Sequence, residues 1–180
     1  MIRKIILLIF MLVCLSGFSQ RFKTSDSFVK FFSDAPLEDI EADNESASSI
    51  IDVEKMAIVI VVPIKSFSFK KKLMQEHFNE SYLESGKYPN ATFKGKIEGW
   101  DGGNGSFQAN AKGTMEIHGV TKEVTIDGEL IFENNQIIIN TVFPILLSDY
   151  EIKIPKAVFY NIAEEVEVTA KFQYDPYEKN

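Results

Sequence analysis

The chain has 180 residues, of which 45% are hydrophobic and 12% aromatic, with one cysteine and a formal charge of −7. An acidic balance spread along the chain argues against nucleic acid or anionic membrane surfaces as partners. A lone cysteine, Cys14, rules out a disulfide framework, so the fold rests on its hydrophobic core.

The chain opens with Arg3 and Lys4, an apolar run from Ile5 to Leu15, and the small residues Ser16, Gly17 and Ser19. That layout is a secretory signal, and the run is too short to span a membrane. Cleavage is expected after Ser19, leaving residues 20–180 as one domain in the periplasm or secreted. Loss of Arg3 and Lys4, with no acid, moves the formal charge from −7 to −9. A lipidated cysteine needs a small residue just before it, and Val13 stands there. No second apolar run has transmembrane length.

Phe22 to Phe32 reads as the first strand. The acidic, Asn- and Ser-rich stretch from Ala35 to Ser49 reads as an exposed loop. Met56 to Val62 is a strand apolar on both faces, stopped by Pro63, and offers a strip through which two copies could pair as a homodimer. Lys70 to Tyr82 suits a short amphipathic helix with Leu73, Met74, His77 and Phe78 on one face. "SGKYPN" then turns the chain into a strand at Ala91–Glu98, which ends in the Gly-rich turn "GWDGGNG".

From there, period-two alternation dominates. Gly105, Phe107, Ala109, Ala111, Gly113, Met115 and Ile117 alternate with polar residues, as do Val124 to Phe132 and Val166 to Tyr174. Asn134-Asn135 turns the chain into a strand from Ile137 to Phe143. Seven or eight antiparallel strands with one helix make an all-β domain, either an up-and-down barrel or a sandwich. The segment from the helix through Tyr82 and Tyr88 is placed to cover an open end.

Catalytic motifs are lacking. His77 and His118 are far apart, and no His-Glu-x-x-His spacing, Gly-x-Ser-x-Gly elbow or phosphate loop occurs. His77 beside Glu76 and Glu80 reads as a helix-surface residue, and His118 as a turn-fixing one. No metal, cofactor or enzymatic role is expected. The Asn-x-Ser/Thr triplets at Asn44, Asn79, Asn90 and Asn104 read as structural.

The runs "LMQEHFNESYLESGKYPNATFKGKIEG", "GTMEIHGVTKEVTIDGEL" and "LLSDYEIKIPKAVFYNIAEEVEVTAKF" resemble the YceI-like family of exported lipid-binding proteins. The resemblance runs from about Phe22 to Tyr174. It departs in the N-terminal strands, where family members carry a His that "SFVKFFSDAPLEDIEADNESASSIIDVEK" lacks. It implies an eight-stranded antiparallel up-and-down β-barrel, lipocalin-like, with a long isoprenoid or similar lipid inside. Alternation alone leaves a filled core and a cavity both open, because small inward residues make room but also mark bends. The resemblance favours the cavity, with Phe93, Phe107, Met115, Phe132, Phe143 and Phe172 as its inward-facing lining. Tyr82, Tyr88, Tyr150 and Lys153 are the candidates for the mouth, where a head group would lie. A filled barrel acting as an envelope interaction module is the first alternative function, and an enzyme on lipid-like substrates ranks below it.

Overall fold

The structure is a computed structural model that describes residues 20–34, 39–154 and 163–177. The expected signal segment, 1–19, lies outside the described residues. Ten strands form one antiparallel sheet: β1 (Arg21–Ser33), β2 (Ile40–Asn44), β3 (Ser48–Asp52), β4 (Ala57–Pro63), β5 (Ser68–Phe69), β6 (Asn90–Glu98), β7 (Gly105–Ile117), β8 (Val120–Glu133), β9 (Gln136–Leu146) and β10 (Glu165–Pro176). Pairing of β1 with β10 closes the sheet on itself.

Two staves of the barrel are broken. β2 and β3 both run antiparallel to β1, one opposite Val29–Ser33 and the other opposite Arg21–Lys23. β4 and β5 lie beside them, β4 on β3 and β5 on β2. With each broken stave taken as one, the chain forms an eight-stranded up-and-down barrel.

The reading of Ala35–Ser49 as an exposed loop is corrected here, because β2 and the start of β3 fall inside it. Ala42, Asn44, Ala47 and Ser49 are buried while Glu41 and Glu45 are not. The inward positions are small or polar, so the alternation carries little hydrophobic contrast. Asn44 serves the break directly: its Nδ2 donates to the Pro63 carbonyl at 2.8 Å, and its Oδ1 accepts from the Ser46 N–H at 2.8 Å. A buried amide satisfied on both sides holds the two broken staves together.

On the outer face, Glu41 of β2 accepts from Lys30 of β1 at 2.5 Å and from Lys70 just past β5. The hydrogen bond from Lys30, then that from Lys70, holds the Glu41 carboxyl down at about 2, against an ordinary 4.5. The folded state therefore binds this proton more weakly than the unfolded chain. The resulting stability is present above pH 4.5 and is lost as pH falls through about 2. We expect Glu41→Gln to flatten that part of the acid limb of a melting-temperature profile, with little effect at neutral pH beyond the loss of a solvent-screened pair.

The barrel's two ends differ. At the end holding the β3–β4, β6–β7 and β8–β9 turns, Phe22 packs edge-on against Phe132 with ring centroids 5.7 Å apart, and Trp100 packs on the same Phe132 at 5.7 Å. The Trp100 indole N–H donates to the Gly103 carbonyl at 2.9 Å, which pins the Gly-rich turn beneath it. Ile51, Ile137 and Tyr174 are fully buried, and the Tyr174 hydroxyl donates to Ser49 Oγ at 2.9 Å. This end is solid. Toward the other end, β6 and β7 approach closely where Gly95 faces Gly113, and the Phe93 ring lies over Gly95.

Candidate functional site

The other half of the barrel is hollow. A cavity of about 360 Å³ lies between Val29, Ile58, Ile60, Phe93, Ala111 and Phe172, with walls that are almost wholly apolar. Small residues make the space: Ala109, Ala111 and Ala170 line it with methyl groups, and their partners across the neighbouring strands, Gly128, Ile97, Ile126, Val29 and Thr141, include no aromatic ring to fill it. At about 30 Å³ for a group the size of a water or a methylene, the volume holds roughly a dozen such groups.

A lid covers the open end. Helix α1 (Lys72–His77) runs into one π-helical turn, Phe78–Tyr82, closed by the Leu83 N–H donating to the Phe78 carbonyl at 2.9 Å. The π turn rotates successive side chains differently from an α turn, and Met74, Phe78, Tyr82 and Leu83 all line the cavity. Phe78 stacks on Phe31 at 5.4 Å and meets Phe67 and Phe69 at 5.5 and 5.0 Å. Four aromatic rings from β1, the β4–β5 break and the lid thus form an apolar cap, each contact adding to the area it buries. Leu73, expected on the apolar face, points to solvent instead, since the helix is too short to carry a full stripe.

The lid is latched at its C-terminal side. His118, in a left-handed conformation at the β7–β8 turn, places Nε2 2.8 Å from Glu84 Oε2 and Nδ1 3.2 Å from the Tyr150 carbonyl. Tyr88 packs edge-on against the His118 ring at 4.7 Å and lies over Gly119, where a side chain would collide with it. The Ile64 N–H donates to the Pro89 carbonyl at 2.9 Å. His118 was expected to fix its own turn by a hydrogen bond; its ring bonds instead run to Glu84 and Tyr150 and tie two other segments to the turn. A partly exposed charge-assisted contact of this kind contributes about 0.5–1 kcal/mol. We expect Glu84→Gln to raise lid amide exchange roughly two- to fivefold, the rate factor matching that energy, while core amides stay protected. Hydrogen–deuterium exchange over residues 72–89 measures it.

Of the six residues named as lining, Phe93, Met115, Phe143 and Phe172 face this cavity. Phe107 and Phe132 do not: Phe132 belongs to the solid end, and Phe107 packs beside Leu130 on the pairing strand. Alternation tells which face a residue points to, not how far along the barrel axis it lies. Of the four mouth candidates, Tyr82 lines the cavity, and burial pushes its phenol above the ordinary value, so it stays a neutral hydroxyl. Tyr88 is spent on the latch, Tyr150 is buried between β8 and the turn after β9, and Lys153 is exposed. His77 sits on the rim. The sequence reading passed over Phe31, Phe67, Phe69 and Ile139. "SFSF" at 66–69 is itself an alternating run and was the available signal for two of them.

Among the described residues, no group of three His, Cys, Asp or Glu side chains is placed to hold a metal ion, and no helix is long and apolar enough to cross a membrane.

A profile of the YceI-like domain matches residues 16–174. Among solved structures, BcnA of Burkholderia cenocepacia is 21% identical with a TM-score of 0.69, covering 82% of this chain and 95% of its own. A polyisoprenoid binding domain from Saccharophagus degradans, implicated in plant cell wall breakdown, is 15% identical with a TM-score of 0.69, covering 88% and 99%. The Campylobacter jejuni YCEI protein is 18% identical with a TM-score of 0.58, covering 74% and 81%. No curated protein sequence matches the chain. At these identities the structural likeness speaks to the barrel alone.

Proposed function

Because the chain belongs to the YceI-like family, we propose that it is an exported protein that holds a long-chain isoprenoid or related amphiphile in the hollow half of its barrel, as a carrier rather than an enzyme. The observation that carries this reading is the lidded apolar cavity of about 360 Å³. Its size and lining suit a hydrocarbon chain, and the Saccharophagus degradans domain of the same fold is described as binding polyisoprenoid.

Each buried methylene contributes roughly 0.8 kcal/mol, so a dozen contribute about 10 kcal/mol before the cost of immobilising the chain. Such a site selects for length and shape more than for chemistry. Tyr82 and His77 at the rim are the groups nearest a head group, with Tyr88, Tyr150 and Lys153 further out. Export rests on the layout of residues 1–19, and the periplasm or the exterior is the compartment in which such a carrier meets envelope lipids. Pairing of two copies through the strip from Met56 to Val62 is supported by the exposed side chain of Val59, beside which Ile50 of β3 is also exposed.

Native mass spectrometry of protein taken from its own host envelope, followed by lipid extraction, tests the reading. A co-purified long-chain species near one-to-one is the expected result. Bare polypeptide that also refuses polyprenols and fatty amphiphiles in vitro would overturn it, and would favour an interaction module acting through the outer surface.

A further inference from the structure

The barrel wall is incomplete in one place. β8 and β9 are paired only from Glu129 opposite Asn140 to Glu133 opposite Gln136, although β8 starts at Val120 and β9 runs to Leu146. On their other edges the same segments are fully paired, β8 with β7 up to Val120 and β9 with β10 up to Leu146. The gap is therefore flanked by intact ladders, and end fraying does not account for it.

Its base is built. Gly128 lies so close to the neighbouring strand that a Cβ there would stand 2.7 Å from the Asn140 carbonyl oxygen. Just past it, Thr141 Oγ1 donates to the Asp127 carbonyl at 2.6 Å, so a side-chain hydroxyl answers a carbonyl beyond the last rung. Pro144, with no N–H to offer a ladder, sits in the stretch of β9 that β8 leaves unpaired.

A second space of about 270 Å³ occupies the gap, and it shares Met115, Ile126, Phe143 and Ile145 with the main cavity. β9 presents Leu146, 39% exposed, on the wall of this space and Val142, 57% exposed, beyond it, where a wetted strand face ordinarily carries polar residues. The main cavity holds roughly a dozen methylene-sized groups at about 30 Å³ each, fewer than a long isoprenoid has.

We infer that the gap between β8 and β9 is a lateral slot, a second opening through which an acyl or isoprenoid chain too long for the cavity crosses the wall and lies along Val142 and Leu146. This rests on the lipid-binding reading and extends it: the ligand class is set by an overhanging apolar tail, so chain length is not capped by cavity volume.

Two probes carrying a photoreactive diazirine at the tail end test it, a saturated alcohol of about eight carbons and a polyprenol of about forty, lengths chosen below and above what the cavity holds. The slot requires the long probe to label Val142, Leu146 or Pro144 and the short one to label interior residues such as Ile139 and Phe172. Val142→Asp, at an exposed position that leaves the core intact, is expected to weaken the long probe about tenfold and leave the short probe unchanged. Labelling of the long probe confined to Met74 and Phe78 would mean that the tail leaves under the lid, which overturns the slot while the carrier reading stands. Equal weakening of both probes by Val142→Asp also counts against it. Uptake of neither probe by the unaltered protein removes the carrier reading and the slot together.

Discussion

Ala111→Phe is expected to lower affinity for long apolar chains by about three decades while leaving the barrel folded. Ala111 lies in the hollow half of β7, opposite Ile97 and Ile126, with its methyl group on the cavity wall. Phenylalanine adds about six carbons at that point, each displacing a ligand carbon worth roughly 0.8 kcal/mol, for a total near 5 kcal/mol. At about 1.4 kcal/mol per decade that is more than a thousandfold. The added ring enters space the protein leaves empty, so the overpacking that accompanies enlargement in a filled core is small here. Isothermal titration with a long-chain alcohol, beside a urea melt of the unliganded variant, separates the two effects. Unchanged binding with unchanged stability would mean that the chain does not occupy this cavity.

Gly113→Ala is expected to cost on the order of 3 kcal/mol of stability, more than a typical substitution and by a named cause. A Cβ at Gly113 would stand 2.1 Å from the Lys94 carbonyl oxygen and 2.4 Å from the Gly95 Cα. Both are backbone atoms of the partner strand, so no side chain can swing aside, and relief requires β6 to move off β7. Gly86, in the lid's approach to β6, is the control: nothing lies within 4 Å of the Cβ it would gain. There the substitution is expected to be neutral or slightly stabilising, through the unfolded chain. Urea midpoints of the two variants against the parent decide the matter, and a Gly113→Ala midpoint within a few tenths of a molar of the parent would contradict the strain.

Much of the barrel was legible because its walls obey one rule. β7, β8 and β10 alternate so regularly that their faces follow from the order of apolar and polar residues alone, and the lid followed from a short amphipathic run ending in Gly and Pro. β2 and the start of β3 were illegible for a physical reason: the inward residues from Ala42 to Ser49, namely Ala42, Asn44, Ala47 and Ser49, are small or hydrogen-bonded polar groups, and a large apolar side chain is first buried only at Ile51. Depth along the axis was also hidden. Phe132 and Phe143 carry the same side chain and both point inward, yet one plugs the solid end and the other lines the cavity. The gap between β8 and β9 left only Pro144 as a mark, since Val124, Ile126, Phe143 and Ile145 alternate as they would in an unbroken ladder. Strand pairing depends on two segments at once, and a period read along one segment does not report it.

The division of the barrel into a solid end and a hollow end separates two kinds of selection. Phe22, Trp100 and Phe132 hold the closed sheet without touching the cavity, while Ala109, Ala111 and Ala170 shape the cavity without joining that plug. Substitutions at sites that share no partner add their effects independently. Drift in the hollow half can therefore reshape the cavity while the keystone rings stay in place, and a lineage built on this scaffold is free to remodel that space without first re-solving its folding problem.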